Sequence, residues 1–174
     1  MKLLIGLTLV LATLFARNAM AGWDPDSGQN ARIAVAAFKK ADPKLSHFFA
    51  KAYGYVVYPN IIKGAMGIGG AYGSGTVFEQ GKIIGSSNLS QLSFGFQLGG
   101  QAYREIIFFK DKRAMVRFKK GKFELGAQIS AVAATAGASA NVDYSSGVAI
   151  FTIAKGGLMY EASVGGQLLS FEAR

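Results

Sequence analysis

The sequence predicts an α+β fold in which N-terminal helices pack on a curved, mostly antiparallel, glycine-rich β-sheet or partly closed barrel. Three observations carry that prediction: helical spacing of apolar residues between positions 27 and 52, two-residue alternation in several later segments, and glycines placed inside those alternating segments.

The first segment is expected to be removed. Lys2 supplies a short positive region, Leu3 to Phe15 an apolar run, and Ala19-Met20-Ala21 the small-x-small form of a signal peptidase site. Residues 1–21 therefore read as a cleavable signal peptide and 22–174 as a single domain. The apolar run is about thirteen residues, short of the roughly 20 a helix needs to span a bilayer, which weighs against a retained anchor. The chain has no cysteine, so disulfides, thiol catalysis and N-terminal acylation at cysteine drop out. The expectation is a periplasmic or secreted protein of the cell envelope, held together by packing, at most peripheral to the outer membrane. A chain of this size buries roughly 70% of its unfolded surface, enough for one core.

From Ser27 to Ala52 two helices are predicted. Ile33, Ala36, Ala37 and Lys40 share one face of the first; Asp42-Pro43 breaks it and opens a second through Leu45, Phe48, Phe49 and Ala52. Tyr53 to Tyr58 reads as a short extended stretch ended by Pro59 and Asn60. Beyond Ile61 the period falls to two. Leu92, Phe94, Phe96 and Leu98 alternate with Gln91, Ser93, Gly95 and Gln97, predicting a strand with its apolar series buried and its polar series in solvent. Phe123, Leu125, Ala127, Ile129 and Ala131 alternate likewise, as do Leu158, Tyr160, Ala162 and Val164. Ile106 to Phe109 and Val148 to Ala154 are apolar on both faces and read as central strands.

A weak repeat, Gly99-Gly100-Gln101, Gly126-Ala127-Gln128 and Gly165-Gly166-Gln167, lies inside alternating segments, where glycine marks bends or close backbone approach. Asp111 to Gly121 interrupts the β pattern: Ala114, Met115 and Phe118 have helical spacing.

Chemistry-bearing constellations are sparse. His47 is the sole histidine, reads as structural or solvated, and has no cysteine to share a metal with. The glycine clusters miss both nucleotide-binding spacings: Tyr72 stands where a third glycine would follow Gly67 and Gly69, and Gly81-Lys82 and Gly121-Lys122 lack the upstream glycine. Glu105 and Glu161 sit in apolar segments; they read as carboxylates satisfied by Lys or Arg, or as an acid/base pair. No cofactor or metal is implied.

Charge points to a partner. The chain carries 19 Lys and Arg against 10 Asp and Glu, net +9; without Lys2 and Arg17 the balance is 17 against 10, net +7. Lys110, Lys112, Arg113, Arg117, Lys119, Lys120 and Lys122 place seven cations in thirteen residues, opposed within that window by Asp111. On a helix Arg113, Arg117 and Lys120 fall on one side. This suits anionic headgroups at about 1 kcal/mol per cation near a membrane surface. The bland alternative is a solvated charged turn. Export disfavours nucleic acid as the partner.

Four ordered blocks add a resemblance. Residues Tyr58-Pro59-Asn60-Ile61-Ile62-Lys63-Gly64, Gly67 to Gly75, Ser93 to Tyr103, and the run Lys155 to Gln167 closely resemble the SYLF domain, over roughly residues 30 to 172. The resemblance implies binding of anionic phospholipid or phosphoinositide-like headgroups without catalysis. It extends to actin filaments for some eukaryotic relatives, and an exported bacterial chain is an implausible actin partner. This chain departs from the lipoprotein form of bacterial relatives in lacking an acylated cysteine. The competing readings are a small outer-membrane β-barrel or structural envelope protein, suggested by short glycine- and aromatic-rich strands, and a hydrolase using Glu105 or Glu161.

Overall fold

The structure, a computed structural model, describes residues 25–66, 68–94, 101–126, 128–155 and 164–174. The segment 1–21 read as a signal peptide, the alternation at 95–98, Gly99, Gly100, Ala127, the segment Leu158 to Ala162 and Glu161 lie outside the described residues.

Helix α1 (Pro25–Ala41) carries Asp26 in its first turn and Lys39 and Lys40 in its last, each sign placed where the helix dipole favours it. It buries Ala31, Ala34 and Phe38. This corrects the predicted face: Ile33 is 55% exposed and Lys40 lies in solvent. Asp42 does break the helix, as expected. Its carboxylate caps a 3-10 turn (Pro43–Leu45) by accepting from the Lys44 N–H at 3.0 Å, and it also accepts from Gly137 N at 3.1 Å and Ser139 N at 2.7 Å. Burial alone would raise its pKa, but the bonds from Ser139, Gly137 and Lys44 outweigh that and hold it below the usual carboxylate value. Helix α2 (Ser46–Lys51) follows at once.

Four long strands form the middle of a curled sheet: β1 (Gly54–Met66), β2 (Ile68–Glu79), β3 (Lys82–Phe94) and β4 (Gln101–Phe109). After β4 come helix α3 (Lys112–Lys119), β5 (Phe123–Glu124), β6 (Val132–Ala133), β7 (Val148–Ala154), β8 (Leu168–Leu169) and β9 (Glu172–Ala173). The order across the sheet is β5-β8-β3-β2-β1-β4-β7-β6, with β9 also pairing β3. Pairing is antiparallel throughout except β6 with β7. The expected α+β class and the central placement of Ile106–Phe109 and Val148–Ala154 are both observed.

Pro59 does not end the first strand. β1 runs through it, and the register shifts between Val57 and Asn60 against β2 and between Tyr58 and Ile61 against β4. A bulge is where a residue without an N–H is tolerated in a strand. It lets Tyr58 and Ile61, three positions apart, both be fully buried, while Asn60 and Ile62 lie in solvent. Gly75 lies against the same bend: a Cβ there would stand 2.7 Å from the Val57 carbonyl oxygen and 2.7 Å from the Tyr58 ring.

Two cores result, one on each face. On the inner face Tyr58, Leu89, Ile107, Phe109, Met115 and Phe118 belong to a cluster closed by α3 and the C-terminal segment. On the outer face Val57, Phe78, Phe108 and Phe151 meet Phe38, Leu45 and Phe48 of the helices, with Tyr55 stacked on Phe78 at 4.7 Å and Phe48 edge-on to Phe151 at 5.0 Å.

Two further expectations are corrected. In β3 the alternation has the opposite sense: Gln91 is buried, its amide donating to the Gly165 carbonyl at 3.0 Å, and Leu92 is 76% exposed. Pairing with β2 sets this register, because Leu89 takes the inner face opposite Gly73. Residues Phe123 to Ala131 form no long strand. Phe123 and Glu124 pair with β8, Leu125 exchanges backbone hydrogen bonds with Gly166 and Gln167, and the chain then turns; Leu125, Ile129 and Ala131 are buried.

Candidate functional site

Helix α3 begins where β4 ends. Asp111 caps it, its carboxylate accepting from the Ala114 N–H at 2.9 Å. Ala114, Met115 and Phe118 form the buried stripe, as their spacing predicted. The Phe118 ring centre lies 4.8 Å from Phe109, 5.7 Å from Phe171 and 6.1 Å from Phe123. Gly121 and Lys122 both take positive φ, 74° and 53°, and turn the chain off the helix. Three apolar side chains therefore anchor the helix, and the rest of its surface is open.

The structure divides the seven candidate cations into two groups. Lys119 and Arg117 are engaged within the protein. The Lys119 amine meets a Glu79 carboxylate oxygen at 2.6 Å, and that bond, against burial, holds Glu79 below the usual carboxylate range. Arg117 donates to the Ser146 carbonyl at 2.7 Å. The side chains of Lys110, Lys112, Arg113, Lys120 and Lys122 are exposed and make no hydrogen bond or ion pair among the described residues. Asp111, the one acid in the window, is occupied as the helix cap. Sequence reading missed Glu79, forty positions away from Lys119, because only the β2–β3 turn brings it to this end of the sheet.

Glu105 is not held by Lys or Arg. It is fully buried on the inner face, accepts from the Gln167 amide at 3.1 Å, and has its pKa pushed up by burial to about 8. Its other oxygen has no hydrogen-bond partner among the described residues. Nearby, the Tyr58 hydroxyl and Ser87 Oγ are 2.6 Å apart, and burial raises the phenols of Tyr58 and Tyr103. These groups are sealed in the core. His47 is exposed and edge-on to Phe48, ring centres 6.1 Å apart. Among the described residues no cluster of three or more His, Asp or Glu is placed to hold a metal. No helix there is long and apolar enough to cross a membrane.

Residues 90–174 match the Ysc84 family, described as Las17-binding protein actin regulator. A protein of Aeromonas veronii named beta cell expansion factor A is 26% identical over 153 residues, covering 82% of this chain and 58% of that protein. The chain thus spans less than two thirds of that relative's length.

Proposed function

We propose that this chain, which carries a SYLF domain of the Ysc84 family over residues 90–174, is an exported, non-catalytic protein. It docks on anionic membrane surfaces through Lys110, Lys112, Arg113, Lys120 and Lys122, with Arg117 and Lys119 in support. The observation that carries this reading is the division of α3: three side chains hold it to the core, and five cations on and beside it make no hydrogen bond or ion pair among the described residues. Five such charges at about 1 kcal/mol each suffice for reversible peripheral binding at low salt. The sealed environment of Glu105 speaks against hydrolysis, since a general acid must reach its substrate. The helices packed over one end of the outer face speak against a barrel that faces lipid all round. Actin, present in the family's description, is a weaker candidate partner for an exported chain.

Flotation of residues 22–174 with vesicles tests the proposal. The protein should float with vesicles rich in phosphatidylglycerol at about 0.05 M salt, weaken toward roughly 0.5 M, where the screening length is a few ångströms, and bind neutral phosphatidylcholine poorly. Equal binding to both vesicle types, or to neither, contradicts it.

A further inference from the structure

Among the described residues, helices cover the outer face of the sheet at one end only. Past Pro59 no described helix lies over the strands, and the antiparallel registers place specific residues in rows across them. One row is polar: Asn60 pairs with Ser74 and Ser74 with Asn88, while Arg104 of β4 stands opposite the bulge. Within it Ser74 donates to Asn88 at 2.8 Å, and Lys155 reaches in to donate to Asn60 at 2.9 Å. The next row carries three large apolar residues with one serine between them: Leu168 pairs with Ser90, Ser90 with Tyr72, and Tyr72 with Ile62. Leu92, opposite Gly70, stands one row further on.

Six large hydrophobic residues are exposed among the described residues, and this face accounts for most of them. Ile62, Tyr72, Leu92 and Leu168 are 60%, 61%, 76% and 43% exposed, and Ile33, 55% exposed, lines the same face from α1; Val116 alone lies elsewhere. Between α1 and the sheet runs a groove of about 1040 Å³ whose lining includes Ile33, Asn60, Asn88, Arg104 and Lys155. Clustered exposed apolar residues bordered by polar ones mark a contact surface. Here the border carries Arg104, Lys155 and Arg174, with Glu172 the one acid among the lining residues. Such a banding, apolar tip and then amides and cations, matches the depth profile of a lipid interface: acyl region first, phosphate level behind it.

We infer that this uncovered outer face is a second membrane contact, in which Ile62, Tyr72, Leu92 and Leu168 enter the acyl boundary of an anionic bilayer while Arg104, Lys155 and the Asn60–Ser74–Asn88 row lie at its phosphates. It extends the proposed function from electrostatic adsorption to shallow insertion, and it rests on that reading only for the choice of membrane. The α3 cations lie near Gly54 and Glu79, at the other end of β1 and β2. The two contacts are therefore separate, and this one is not screened by salt.

The test places a reporter in the apolar row. Tyr72→Trp in a Trp23→Phe background, which leaves the introduced indole as the only one in the chain, is mixed with phosphatidylglycerol vesicles carrying brominated acyl chains. The expected result is a blue-shifted indole emission quenched by the bromines. In parallel, Leu92→Ser should lower vesicle affinity about tenfold at roughly 0.5 M salt, with an unchanged melting temperature as the check on folding. A protein that floats with vesicles while its indole emission stays unshifted and unquenched overturns the inference and leaves the α3 docking in place. Sedimentation showing a dimer that Leu92→Ser dissociates also overturns it, assigning the face to a second copy. Absence of any vesicle binding removes both readings.

Discussion

The two ends of the β1–β2 hairpin differ in kind. At the Gly54 end the distinctive residues are cations on and flanking one short helix, close together in sequence, and their effect is long-ranged and salt-sensitive. At the uncovered end they are apolar side chains drawn from four strands, spread from Ile62 to Leu168, and their effect is contact-ranged and indifferent to salt. The difference teaches what a linear reading can find. A charge run stays together whatever the fold, whereas a row across a sheet exists only after register is set.

The largest expected effect separates the ends. Reversing Lys112, Arg113 and Lys120 to Glu should weaken binding to anionic vesicles more than about 100-fold at low salt, since three favourable terms near 1 kcal/mol are lost and replaced by repulsion. Melting should change little, because these side chains touch nothing in the core. Retained binding would move the site toward the apolar rows.

Between the ends lies Glu105, which separates stability from binding. Its folded pKa, about 8, stands above the ordinary value of 4.5, so the folded state keeps a proton that the unfolded chain releases. Stability should therefore fall as pH rises from roughly 4.5 to about 8 and level off above. Glu105→Gln should flatten that slope in denaturant titrations, while vesicle binding, which does not use Glu105, is the same in the variant as in the wild type. An unchanged slope in the variant would mean another group titrates.

A smaller effect is expected where both ends share a support. Gly75→Ala places a methyl against the Val57 carbonyl and the Tyr58 ring at 2.7 Å; overpacking of about 2 kcal/mol should lower the melting temperature by roughly 4–8 °C. A melting temperature equal to wild type would argue against the close packing at the bulge.

The smallest concerns Lys119. Because Glu79 holds its amine, Lys119→Met should reduce vesicle affinity less than about threefold, and stability by no more than about 1 kcal/mol. The unengaged Lys112→Met should cost about fivefold, from its 1 kcal/mol term. Equal losses would erase the division between engaged and open cations.

Much of this fold was legible. The helix break at Asp42-Pro43, the buried Ile106–Phe109 and the short helix with its Ala114, Met115 and Phe118 stripe follow from local chemistry and are all observed. What failed did so for tertiary reasons. The sense of alternation in β3 is reversed because a strand's two faces are chosen by its partner, not by its own hydrophobicity. Ile33 faces outward because the small residues Ala31 and Ala34 let α1 approach the sheet closely. Pro59 looked like a terminator and is a bulge. The candidate cations were all visible in sequence, but which of them are occupied depends on Glu79 and the Ser146 carbonyl, contacts across forty and twenty-nine positions.

Lysine footprinting of the vesicle-bound protein tests the central claim most directly. Residues 22–174, free and bound to phosphatidylglycerol vesicles at about 0.05 M salt, are acetylated briefly and read by peptide mass spectrometry. Lys110, Lys112, Lys120 and Lys122 should lose most of their reactivity on binding, while Lys44 and Lys51, set on the helical layer, keep theirs. Full reactivity at those four positions in protein that demonstrably floats would contradict docking through the cationic helix.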